Sequence, residues 1–186
     1  MPQDLRHRTQ AELDAALETI RAAPRDAGVI ELITRRPEQG EREVLEEATL
    51  DPALGLVGDN WIRRKARTTP DGTPDPEQQL TLMNARSIAA IAGAREHWPP
   101  AGDQLFVDFD LGLEHLPPGT ELVAGTAVLA VSATPHTGCA KFTARYGSAA
   151  TRWVNTEVGR GLNLRGINAR IVSGGVVRRG DAIRKR

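Results

Sequence analysis

Apolar and polar positions along this chain change rhythm once. From Leu13 to Ile20 the apolar residues Leu13, Ala16, Leu17 and Ile20 recur at the spacing of one helical face. Thr9-Gln10-Ala11-Glu12 stands before them in capping-box form, a hydroxyl at the N-cap and a carboxylate three residues on, and Pro24 ends the helix. After Gly28 the apolar residues fall in short or alternating stretches: Val29 to Ile33, Glu43 to Ala48, Gln79 to Met83, Gln104 to Asp110, Glu121 to Val123, Ala127 to Val131, Ile167 to Val172 and Val176 to Val177. Gly, Pro and Asp separate them, so the pattern predicts a mainly β, α+β domain, barrel or sandwich, with an N-terminal amphipathic helix. Two further helices are predicted, Asn84 to Gly93 with Ile88 and Ile91 on its apolar side, and Ala149 to Val158 with Ala149, Trp153 and Val154 on one face. The division this implies is a helical extension over 1–27 and one β-rich domain over 28–186, since 186 residues suit one sizeable core.

Charge and composition remove several partners. Lys plus Arg equals Asp plus Glu at 24 each, so no global field draws the protein to nucleic acid or an anionic membrane. Three Trp, one Tyr and three Phe are too few for base-stacking platforms. No basic segment leads into an apolar core at the N-terminus, and no run of ~18 apolar residues occurs, so a cytoplasmic protein is expected. The densest positive run, Arg63-Arg64-Lys65-Ala66-Arg67, leads into a Thr-, Pro-, Gly- and Asp-rich stretch to Glu77 that reads as an exposed loop. That run is either the solvated base of the loop or a phosphate contact. Gly58-Asp59, Gly102-Asp103 and Gly180-Asp181 read as turns.

The one cysteine changes the picture. Cys139 follows the Ala127 to Val131 strand in the run Pro135-His136-Thr137-Gly138-Cys139-Ala140-Lys141-Phe142. It can form no internal disulfide, and its single occurrence fits a reducing compartment. Pro135 and Gly138 break the strand and place the sulfur on a turn, with His136 and Lys141 as nearby groups that favour a thiolate. Packing and chemistry both remain open on these residues, because a free cysteine also serves as a small hydrophobe. A zinc site would have to recruit His97 and His115 from distant loops to join His136 and Cys139. A Cys-His hydrolase would need a base and an orienting group brought in by the fold.

Several segments in order resemble a MOSC domain, the module named for the C-terminal part of molybdenum cofactor sulfurase. They are Gly55-Leu56-Val57-Gly58-Asp59, Gln79-Leu80-Thr81-Leu82-Met83-Asn84, Gly102-Asp103-Gln104-Leu105, Leu116-Pro117-Pro118-Gly119-Thr120-Glu121-Leu122, the cysteine run, Arg165-Gly166-Ile167-Asn168-Ala169-Arg170-Ile171-Val172, and Arg179-Gly180-Asp181. The resemblance spans Val29 to Ile183 and implies a β-barrel built around a cysteine associated with molybdenum cofactor or with sulfur. In one family chemistry the cysteine ligates molybdenum held by a pterin dithiolene, and the centre reduces small N-hydroxylated substrates with electrons from a donor protein. In the other it carries a persulfide supplied by a cysteine desulfurase, the partner that holds pyridoxal phosphate. A third reading, a non-enzymatic small-molecule-binding module, leaves Cys139 merely packed.

Under the first chemistry Cys139 is the metal ligand, since one soft thiolate suffices for a metal already bound by cofactor sulfurs. His136 is the candidate for proton delivery. Arg36, Asn84, Thr137, Lys141, Arg165, Asn168 and Arg170 are the candidates to hold the cofactor's phosphate and pterin edges. If Ile167 to Val172 is a strand, Asn168 and Arg170 share a face and either line a pocket or meet solvent. The larger N-terminal barrel region of longer cofactor-binding members has no counterpart that can be assigned in these residues.

Overall fold

Strands that are apolar on both faces need cover on both, and several strands of this chain are of that kind. The computed structural model describes residues 5–66 and 69–186; Arg67 of the basic run, at the start of the predicted loop, lies outside them. The strands are β1 (Gly28–Arg35), β2 (Glu43–Leu45), β3 (Glu47–Asp51), β4 (Gly55–Leu56), β5 (Leu80–Asn84), β6 (Leu105–Asp108), β7 (Glu121–Ala124), β8 (Ala127–Val131), β9 (Ile167–Ser173), β10 (Gly175–Arg178) and β11 (Ala182–Lys185). The helices are α1 (Gln10–Ala15), α2 (Leu17–Arg21), α3 (Ala85–Ala92), α4 (Ala140–Asn155) and α5 (Glu157–Gly161), with short 3-10 turns between.

Seven strands close into a barrel in the order β1-β6-β5-β9-β8-β7-β11, and Gly28 and Val29 pairing with Ile183 and Ala182 returns β11 to β1. Closure leaves the barrel without a free edge. β2 extends the sheet beyond β1, and β10, β3 and β4 make a separate small sheet. The β5 to β6 pairing is parallel, Leu82 opposite Leu105, and therefore needs a crossover. α3 and the two 3-10 turns Arg95–His97 and Pro99–Ala101 supply it.

Alternation along the strands sorts the side chains into two cores. Ile30, Ile33, Leu80, Leu82, Leu105, Val107, Leu129 and Ile183 fill the barrel. Leu32, Met83 and Phe106 point the other way and meet Leu13, Ile20, Ile88, Trp98, Phe142, Tyr146 and Trp153 from the helices. The helical layer thus covers the outer face of β1, β5 and β6, where all five residues of β5 are buried. Among the described residues no helix is long and apolar enough to cross a membrane.

The expected α+β barrel with an N-terminal helix is what the chain forms. The capping box is present, Thr9 N–H donating to Glu12 Oε2 at 2.8 Å and Glu12 N–H to Thr9 Oγ1 at 3.3 Å. That helix is divided at Ala16 and ends at Arg21, ahead of Pro24. Glu43 to Ala48, expected as one strand, is split at Glu46, because β2 pairs with β1 while β3 pairs with β10 in the other sheet. β4 and β11 were not expected; both are short, β4 turning straight back onto β3 while β11 gets its definition from β7 and β1, far along the chain. The last long helix starts at Ala140 rather than near Ala149 and breaks at Gly147, whose φ of 87° is left-handed. The ring of His7 fills the space a side chain would need there.

Gly166 enters β9 at φ 102°, and a Cβ on it would stand 2.2 Å from the carbonyl oxygen of Leu82. Gly166→Ala is expected to destabilise the fold by roughly 2 kcal/mol or more, read as a lower urea midpoint at unchanged slope.

Candidate functional site

The barrel crossover before β6 is held by its carbonyls. Arg42 Nε donates to Pro99 O at 3.2 Å, Arg145 to Pro100 O, Arg165 to Ala101 O at 2.9 Å and Arg36 to Gly102 O at 3.0 Å. The Thr34 hydroxyl donates to Asp103 O, and the Tyr146 hydroxyl to His97 O at 2.9 Å. Four consecutive carbonyls therefore take guanidinium donors from four separate parts of the chain. Charge-assisted bonds of this kind fix position more firmly than neutral ones.

Two of these arginines are neutralised. Arg36 forks onto Asp59, Nε to Oδ2 at 2.9 Å and the terminal nitrogen to Oδ1 at 2.8 Å, with both side chains buried. Burial pushes the Asp59 carboxyl up, but the Arg36 bonds and charge outweigh it and hold it below its ordinary value. Arg165 reaches Asp103 Oδ2 at 2.6 Å and lies over the Phe142 ring, 4.9 Å from its centre. Arg42, Arg64 and Arg145 have no carboxylate partner among the described residues. Their charges act on one another: burial first, then Arg145, Arg36 and Arg64, bring Arg42 down to about 10. The cluster carries more positive charge than its two aspartates cancel.

The cysteine-bearing segment approaches this cluster from the end of β8. Ser132 N–H donates to Asn168 O, the Ser132 hydroxyl to Glu77 O at 2.6 Å, and Asn168 Nδ2 to Thr134 O at 3.0 Å, which pins the segment across β9. His136 then turns inward with Nδ1 at 3.4 Å from Asp103 Oδ1. Neither atom has a hydrogen-bond partner, and Arg165 Nε is buried without one as well. Burial, then the Arg165 charge, against the opposing pull of Asp103, lowers His136 to about 3, so the ring is neutral near pH 7.

Cys139 caps the start of α4 and is exposed; its side chain makes no capping bond, while its carbonyl accepts from Thr143 N at 2.9 Å and Thr143 Oγ1 at 3.1 Å. Arg145 follows six residues on, about 9 Å along the helix at 1.5 Å per residue.

The fold brings some predicted residues together and separates others. His136, Thr137, Arg165 and Asn168 line one cavity of about 370 Å3, and Cys139 begins the helix just beyond it. Arg36 sits beside Arg165 in the crossover clamp, on the carbonyl next to Asp103. Asn84 caps α3, accepting from Arg86 N at 2.8 Å and donating to Phe109 O at 2.8 Å. Lys141 is exposed in the first turn of α4. Arg170 shares the strand face of Asn168, as alternation requires, yet Asn168 is buried under the 132–137 segment while Arg170 is in solvent, 3.6 Å from Glu77. Among the described residues no three His, Cys, Asp or Glu side chains are placed to hold a metal ion. Sequence reasoning missed Asp59 and Asp103, which read as turn residues, and Arg42, Arg145 and Arg160, which carry no local motif.

A family model described as the MOSC domain matches residues 69–184. The chain belongs to the MOSC domain family. No curated protein matches this MOSC chain. Among solved structures it is similar to the YuaD protein from Bacillus subtilis, at 17% identity and TM-score 0.60 over 87% of this chain and 96% of that one. It is similar also to YiiM from Escherichia coli, at 16% identity and TM-score 0.56 over 85% and 69%. YiiM from Geobacillus stearothermophilus stands at 12% identity and TM-score 0.56 over 86% and 75%. At these identities the likeness is one of MOSC fold.

Two measurements follow for this MOSC site. Iodoacetamide should alkylate Cys139 in the folded protein at a rate within about tenfold of the urea-unfolded chain, because the thiol is exposed; full protection would place it in a core. His136 takes up a proton in the unfolded chain near 6.5 but in the folded one only near 3. Stability is therefore expected to fall by about 2 kcal/mol from pH 7 to pH 5, at up to about 1.4 kcal/mol per unit below 6.5. His136→Gln should flatten that slope in urea titrations.

Proposed function

We propose that this MOSC protein binds a molybdenum-pterin cofactor through Cys139 and works as an oxidoreductase on a small N-hydroxylated or related oxygenated substrate. The observation that supports it most is an exposed thiol at the head of a helix that also carries Arg145, a member of an arginine cluster with charge to spare. The donor set fits the group: one soft thiolate, with no cluster of three His, Cys, Asp or Glu ligands among the described residues, suits a metal that arrives with its own sulfurs. Cys139 would hold the metal, and Arg42, Arg145 and Arg64 the cofactor's phosphate. When bound, that cofactor supplies the redox chemistry, and the protein supplies position and field. Arg36 and Arg165 hold the crossover that Arg42 and Arg145 also grip, so they act on the oxyanion groups indirectly. His136, kept neutral, can donate or accept a hydrogen bond without adding charge. Electrons would come from a donor protein.

A persulfide carrier served by a pyridoxal-phosphate-dependent desulfurase also needs an exposed thiol, but it has no use for an oxyanion cluster. The arginine excess therefore favours the cofactor.

Protein made in a cofactor-competent host should contain molybdenum and pterin near one per chain by elemental analysis and pterin fluorescence. Cys139→Ser should lose the metal, and the Arg42→Ala, Arg145→Ala double variant should lower pterin occupancy about tenfold. Metal-free, pterin-free protein that releases thiocyanate on cyanide treatment would replace this reading with sulfur carriage.

A further inference from the structure

The cavity lined by His136 has a second wall that the cysteine chemistry does not use. Its apolar part comes from Leu116, Val131, Val154 and Ile167, all buried, with Leu113 51% exposed at the rim. Its charged part is two guanidinium groups, Arg160 and Arg165, and no aspartate or glutamate stands among the lining residues. Arg165 is committed to Asp103 and Ala101 O through its terminal nitrogens, while its buried Nε has no partner. Arg160 has neither a carboxylate nor a carbonyl partner for its side chain among the described residues. His136 adds no charge near neutrality. The cavity wall is therefore cationic by about one unit above an apolar floor.

We infer that this cavity binds a small amphipathic monocarboxylate, an acid with a compact aliphatic or aromatic body. One uncompensated cation matches one negative charge, and a dianion would leave a charge desolvated beside the apolar floor. Hydroxyl donors for the carboxylate are at hand: Thr134 and Thr137 line the cavity, and neither hydroxyl has a partner among the described residues. Asn163 and Asn168 each commit one amide N–H to the backbone, to Leu111 O at 2.8 Å and Thr134 O at 3.0 Å, which fixes both side chains. The wall thus keeps its shape before any ligand enters, as small-molecule sites commonly do. At about 30 Å3 per water-sized group the volume takes roughly a dozen heavy atoms. The site stands whether or not Cys139 carries a metal, because Cys139 is absent from its lining.

The test uses hexanoate and phenylacetate with their neutral isosteres, hexanamide and phenylacetamide, titrated into the full chain by calorimetry and amide-resonance shifts. The acids are expected to bind at least tenfold more tightly than the amides, with shifts at Leu113, Arg160 and the 163–168 segment. Arg160→Gln, an exposed change that leaves the core intact, should bring acid affinity down to that of the amides and leave amide binding unchanged. Cys139→Ser should leave acid binding unchanged even where it abolishes metal retention, so the two readings fail separately. Equal binding of acids and amides, shifts centred on Arg42 and Arg145, an unaltered Arg160→Gln variant, or no binding of either class would each overturn the inference.

Discussion

Backbone carbonyls of the barrel crossover, Pro99 to Gly102, are the point on which the rest of this molecule converges. A parallel strand pair inside a barrel forces a long connection outside it, and such a connection carries polar backbone groups into a layer with little water. Here those groups are met by guanidinium donors from the end of β1, the stretch before β2, the helix after Cys139 and the lead-in to β9. Buried ion pairs add little net stability on their own, because desolvation offsets attraction. Their contribution here is positional: each arginine ties a different element to the same short segment.

That convergence has an electrostatic consequence. Arg36 and Arg165 are balanced by buried aspartates, and the remaining arginines are not. Burial lowers Arg42 first and mutual repulsion adds to it, and that repulsive field is the one that would attract an oxyanion. Structural bonds to carbonyls, which are neutral acceptors, hold the cations in place without cancelling them. The scaffold for the crossover and the anion site we propose thus draw on one set of side chains.

His136 lies between two environments. On one side it faces Asp103 and Arg165, and on the other the cavity with the apolar floor. A neutral imidazole there stands between the Asp103–Arg165 pair and the cavity's apolar floor without adding charge to either. Cys139, three residues on, is left exposed at the helix start, above a well-packed helical layer.

The sequence by itself determined the barrel's longer strands, the capped first helix and the position of the thiol on a break after Val131. Those features are local: alternation, cap chemistry and breaker residues act within a few positions. Tertiary structure alone decided the rest. β11 exists through pairings to distant strands, the helix after Cys139 is masked by Gly138 and the Gly147 break, and Glu43 to Ala48 divides because its halves join different sheets. The site's charge balance was hidden for the same reason. Arg165 meets Asp103 and Arg145 meets Pro100 across long stretches of chain, so no window of neighbouring residues could show that two arginines are paired and others are free to act.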